Sequence, residues 1–62
     1  MQLFYAADFT APEYMLSEEE SRHAVKVLRL SEGDTLHITD GRGSLYRCEV
    51  VSAHQKHCLV RV

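Results

Sequence analysis

Apolar and polar positions change period along this chain. Between Ser17 and Leu30 the side chains sort at helical spacing. Ala24, Val27 and Leu28 stand three and four residues apart and share one face, while Arg22, Lys26 and Arg29 fall on roughly the opposite one. Ser17 followed three residues later by Glu20 is a capping box, in which hydroxyl and carboxylate each satisfy an orphan backbone N–H. The pattern predicts a helix from about Glu18 to Leu30, stopped by Ser31, Glu32 and Gly33. From Asp34 the period drops to two. Leu36 and Ile38 point one way and Thr35, His37 and Thr39 the other, which predicts a half-buried strand over 34–40.

Asp40-Gly41-Arg42-Gly43 supplies two glycines for a tight reversal into a second strand, about Ser44 to Ala53, with Tyr46, Cys48 and Val50 facing inward. His54-Gln55-Lys56 turns the chain into a third, His57 to Val62, with Cys58, Val60 and Val62 inward. At the start, residues 2–5 favour a short strand, and Ala6 to Tyr14 reads as irregular because Pro12 blocks regular pairing. One strand, one helix and a three-strand antiparallel meander make a mainly β (α+β) fold. A twisted four-strand sheet must cover its apolar face, so a small, partly closed barrel with the helix plugging one end is expected. The alternation runs to the last residue, and more chain is expected after it in a longer parent.

At 62 residues this is one small domain, burying only about 60% of its unfolded surface. No apolar run approaches the ~18 residues of a membrane span, and no basic-then-apolar leader is present, so a cytoplasmic setting is expected. The net charge of −2 argues against nucleic acid, but its distribution does not. Residues 1–20 carry five acids and no base, whereas residues 21–62 carry seven bases and four acids, −5 against +3. A local basic patch is therefore compatible with the chain.

The stripe Arg22, Lys26 and Arg29 is the leading candidate for chemistry, since clustered cations on a helix bind phosphate backbones. The competing reading pairs Glu18 and Glu19 with Arg22 and His23 as an ordinary solvated surface. His23 sits on the flank between the apolar and basic stripes, where it can serve the domain or a ligand. The glycines flanking Arg42 belong to a strand-to-strand turn, unlike a dinucleotide loop, though Arg42 at the tip can still reach RNA. Cys48 and Cys58 read as buried thiols, and a metal site using them with His54 and His57 lacks any C-x-x-C pair. No catalytic set, metal site or cofactor loop emerges, so the chain by itself reads as a binding module.

At His23-Ala24-Val25-Lys26-Val27-Leu28-Arg29-Leu30, then Glu32-Gly33-Asp34 and Asp40-Gly41-Arg42-Gly43, the match to a known family becomes specific. The opening Leu3-Phe4-Tyr5, the acidic helix start and Tyr46-Arg47-Cys48-Glu49-Val50 fit as well. The sequence resembles the N-terminal domain of the RsmE family, bacterial methyltransferases that modify N3 of a uridine in 16S ribosomal RNA. The resemblance covers essentially all of residues 1–62. It implies a PUA-like β-barrel that helps hold RNA, followed in the parent by a knotted SPOUT methyltransferase domain that binds S-adenosylmethionine and dimerises. The domain itself is then expected to be inactive and to hold no cofactor, with ribosomal RNA or the small ribosomal subunit as its partner and no membrane association. The implied RNA contacts are Arg22, Lys26 and Arg29, with His23 and Arg42 beside them. The alternative is a non-catalytic protein-interaction β-domain whose basic helix face is merely solvated.

Overall fold

In the computed structural model, which describes residues 3–62, the strands are β1 (Leu3–Tyr5), β2 (Glu13–Met15), β3 (Thr35–Thr39), β4 (Leu45–Ser52) and β5 (Leu59–Arg61). The helix α1 (Glu18–Arg22) runs on without a break into a π-helical stretch, His23–Val27. The five strands form one sheet in the order β1-β3-β4-β5-β2. The expected meander is present, β3 to β4 and β4 to β5 antiparallel. β1 pairs with β3 in parallel, so the sheet is mixed rather than wholly antiparallel. Gln2, included in the expected first strand, lies outside the described residues.

One strand was hidden in the stretch expected to be irregular. Glu13–Met15 pairs antiparallel with β5 on the sheet's edge, and Pro12 immediately before it accepts the Val62 N–H through its carbonyl at 2.9 Å. Proline lacks only a donor, so it fits just ahead of an edge strand.

The alternation of β3 and β4 delivers the core. Leu36, Ile38, Cys48, Val50, Cys58 and Val60 are buried together with Phe4, Ala6, Leu16 and Ala24. Val62 departs from the expected inward row. It is 55% exposed, because it lies at the end of β5 where no described element covers it.

The helix departs further from expectation, in length and in phase. Leu28 donates to the His23 carbonyl, an i to i−5 bond that widens the turn. The face that enters the core is Ser21, Ala24, Val25 and Leu28, and Val27 is turned out, 64% exposed. The helix also ends before Gly33. Arg29 takes the left-handed conformation at φ 57°, which non-glycine residues rarely adopt, and the chain turns there. Of the capping box only the hydroxyl half forms, Ser17 Oγ accepting from the Glu20 N–H at 3.2 Å.

Aromatic rings pack against the core beside the segment joining β1 to β2. Phe9 stacks on Tyr46 with centroids 4.4 Å apart and tilts against Tyr14 at 5.2 Å. The Tyr14 hydroxyl donates to Asp8 Oδ1 at 2.7 Å. Burial, then the bond to Asp8 and its negative charge, push the Tyr14 phenol up to about 12. The neutral phenol is the form the fold prefers. Its stabilisation is therefore complete below the unfolded value of about 10 and is lost as pH rises through about 12. In a tyrosinate absorbance titration, one of the three tyrosines is expected to ionise last, near 12. Tyr14→Phe should abolish that late phase. Loss of an early phase instead would contradict the assignment.

Candidate nucleic-acid interface

The basic helix face is aimed by a buried serine. Ser21 is fully buried, and its hydroxyl donates to the Leu16 carbonyl at 3.2 Å and accepts from the Cys58 N–H at 2.8 Å. Leu16 in turn donates to the Cys58 carbonyl at 2.9 Å. The start of the helix is thereby tied to the start of β5. With Ser21 turned inward, Arg22 and Lys26, four residues apart on α1 and its π-helical continuation, are exposed to solvent.

The same tie brings up the turn between β4 and β5. There the Lys56 N–H donates to His54 Nδ1 at 3.1 Å, and the rings of His54 and His57 stack at 5.4 Å, 19° from parallel. Lys56 and Gln55 from this turn, with Glu18, Arg22 and Lys26 from the helix, line a shallow hollow of about 310 Å³. Three cations face one carboxylate in it. Among the described residues the salt bridge found is Arg61 to Glu13 at 2.7 Å, so the pairing of Glu18 and Glu19 with Arg22 and His23 on which the competing reading relied is not formed. Glu20 is half-buried, and its carboxyl is raised by that burial and by Glu19, with His23 pulling the other way.

The expected site residues therefore separate. Arg22 and Lys26 share the hollow. Arg29 lies past the helix end, outside that lining. His23 is exposed and sets its ring edge-on to Phe4 at 6.0 Å. Arg42 stands at the β3–β4 hairpin and donates to the Ala7 carbonyl at 3.2 Å. That hairpin is closed by side-chain hydrogen bonds. Asp40 Oδ1 accepts from the Arg42 N–H at 2.8 Å and the Ser44 N–H at 3.4 Å. The Arg42 N–H above all holds the Asp40 carboxyl below its usual range, despite some opposing desolvation. A Cβ at Gly41 would come within 2.5 Å of the Tyr5 ring, and its φ of 77° also favours glycine.

Lys56 and Gln55 were not legible as site residues. They come up beside the helix with the Cys58 bonds to Ser21 and Leu16, the first of which spans 37 residues of sequence. The usable signal was Ser21 itself, on one helical face with Ala24, Val25 and Leu28. Cys48 and Cys58 are free thiols, and burial raises both above the ordinary thiol value. Among the described residues, no three His, Cys, Asp or Glu side chains are grouped to hold a metal ion.

Residues 16–62 match the family model described as the RNA methyltransferase PUA domain. Solved structures agree. A probable rRNA-methyltransferase from Porphyromonas gingivalis is 40% identical with a TM-score of 0.87, over 100% of this chain and 26% of that one. A predicted RNA methyltransferase from Thermotoga maritima is 34% identical, TM-score 0.79, over 98% and 28%. Ribosomal RNA small subunit methyltransferase E from Neisseria gonorrhoeae, bound to S-adenosyl methionine, shares the fold at 19% identity and TM-score 0.85, over 98% and 26%. The chain thus spans about a quarter of the length of these solved proteins. With a mixed half-barrel sheet, one short helix and a family match over most of its residues, this chain belongs to the RNA methyltransferase PUA domain family.

Proposed function

We propose that this domain holds ribosomal RNA for an S-adenosylmethionine-dependent 16S rRNA (uridine-N3)-methyltransferase, whose SPOUT catalytic domain follows it in a longer polypeptide. The observation that carries this reading is the hollow in which Arg22, Lys26 and Lys56 outnumber Glu18 and form no ion pair among the described residues, on a chain of an RNA methyltransferase PUA family. Phosphates are the natural occupants of such a hollow. Arg22, Lys26 and Lys56 contact the backbone, His23 borders them, and Arg29 and Arg42 offer outlying contacts. Cations on phosphates position the RNA without reading its bases, so selection of the uridine belongs to the catalytic domain and the RNA's folded shape.

The parent protein works in the cytoplasm on ribosomal RNA or the small subunit, and dimerises through its catalytic domain. No helix among the described residues is long and apolar enough to cross a membrane. Within residues 1–62 no catalytic residue is assigned, and S-adenosylmethionine binds elsewhere in the parent. Calorimetric titration of the 62-residue chain with S-adenosylmethionine is expected to give no saturable heat, and RNA incubated with both is expected to stay unmethylated. A stoichiometric cofactor site on this chain would overturn that division of labour. Binding of small-subunit ribosomal RNA fragments across a salt series tests the RNA role itself. Salt-independent or undetectable binding would favour the alternative, a protein-interaction β-domain with a solvated basic face.

A further inference from the structure

The turn between β4 and β5 carries two rings that the phosphate hollow does not use. The imidazoles of His54 and His57 are both exposed, and neither belongs to the core. They stack on each other, with centroids 5.4 Å apart and planes 19° from parallel. The fold holds them there. His54 Nδ1 accepts from the Lys56 N–H at 3.1 Å, which fixes one ring against the backbone of the turn. His57 directly precedes Cys58, whose N–H donates to buried Ser21 at 2.8 Å and whose carbonyl accepts from Leu16. The pair is therefore anchored to the same end of the helix that displays Arg22.

A metal ion is a poor occupant for this pair. Among the described residues no third His, Cys, Asp or Glu joins the two imidazoles. Rings lying face to face also do not converge their nitrogens on one point, as a metal requires. Stacked rings instead offer a flat aromatic surface. Each imidazole turns one face to its neighbour and one away from it. A base does not fit between them, since a stacked base occupies about 3.4 Å and the slot would need about 7 Å between rings. An outer face can take a base with no rearrangement.

Position selects the ligand that brings the base. Gln55 and Lys56, between the two histidines in sequence, line the hollow with Arg22 and Lys26. A nucleotide whose phosphate rests against Lys56 carries its base one sugar away, and His57 is the next residue. Sites for single-stranded nucleic acid combine cations of this kind with aromatic faces on which bases stack. A base inside a duplex is already stacked on its neighbours, so only an unpaired one has a face to give. We propose that His54 and His57 form a stacking platform for one unpaired base of the RNA whose phosphates occupy the hollow. This rests on the phosphate reading above. It adds a grip on bases that is indifferent to their identity, because every base has a π face.

Affinity for two single-stranded probes of equal length tests the platform: an oligouridylate, and the same ribose-phosphate oligomer without bases. The unsubstituted chain is expected to bind the oligouridylate about fivefold or more tightly than the abasic oligomer. Changing His54 and His57 together to alanine should erase that preference and leave abasic binding as it was. His57→Phe should keep the preference, because a phenyl ring stacks without a charge or a hydrogen bond. Equal affinity of the unsubstituted chain for both probes would overturn the proposal, with no variant needed. A preference that survives the double alanine change would overturn it too, by placing the base elsewhere. Loss of the preference in His57→Phe would do the same, by assigning it to hydrogen bonding. The phosphate reading is judged separately, on abasic binding and its loss when Arg22, Lys26 and Lys56 become Gln. Abasic binding that survives that change strikes the phosphate reading alone, and no binding of either probe would overturn both.

Discussion

Replacing Ser21 with alanine is expected to cost about 2–4 kcal/mol, because it strips partners from two buried backbone groups at once. The Leu16 carbonyl loses its donor and the Cys58 N–H its acceptor, at a position with no exposure to water. For 62 residues, a stability of roughly 0.05–0.15 kcal/mol per residue gives only about 3–9 kcal/mol in total. The loss is then a large share of what holds the fold. By comparison, Ser17→Ala removes one exposed cap bond and should cost about 1 kcal/mol. Urea unfolding followed by circular dichroism measures both. The Cys58 thiol, fully buried in the native protein, should also become faster to alkylate in Ser21→Ala. A loss below about 0.5 kcal/mol, the size of an ordinary surface change, would mean that the bond across the helix and β5 is replaceable.

Ser21 also marks the limit of what the sequence could tell. Strict alternation at Leu36, Ile38, Cys48, Val50, Cys58 and Val60 is a local signal, and all six are buried where it placed them. The hairpin was equally local, two glycines between alternating runs. The helix phase was not. A reading by hydrophobicity alone chose Ala24, Val27 and Leu28, because serine does not look like a core residue. The true inner face begins with a serine that earns burial by bonding a strand 37 residues away. The π-helical turn then moved Val27 outward and ended the helix early.

Other features depended on pairings that no window of sequence contains. The parallel match of β1 with β3 joins residues 34 apart, and β2 exists only because β5 is there to receive it. The same reason governs the site. Arg22 and Lys26 were legible from their spacing, since both lie on continuous helix. Arg29 was expected on the helix with them, but the helix does not reach it, and the left-handed turn there carries no glycine to announce it. Lys56 joins the hollow from a turn, and a turn residue has no periodicity to announce it.

If RNA sits in the hollow as proposed, its lining decides which substitutions matter. Changing Arg22, Lys26 and Lys56 together to Gln is expected to flatten the slope of log affinity against log salt by about 2, at roughly 0.7 per lost phosphate contact on single strands. The absolute loss should be largest at low salt, where counterion release contributes most. Single changes at these three positions should each remove about a third of the effect, because they act as separate point charges on one backbone. Arg29→Gln should flatten the slope less than any one of those three changes, since that side chain is outside the hollow and offers only an outlying contact. Arg42→Gln should perturb the hairpin's contact with Ala7 more than it perturbs binding. None of the three main positions is buried, so circular dichroism and urea midpoints should match the parent chain within about 0.5 kcal/mol. RNA base composition should shift affinity little in any variant, as expected for contacts that position rather than read. If the triple variant kept its slope while Arg29→Gln and Arg42→Gln lost theirs, the RNA path would run past the helix end and the hairpin. The hollow between helix and turn would then be only a solvated surface.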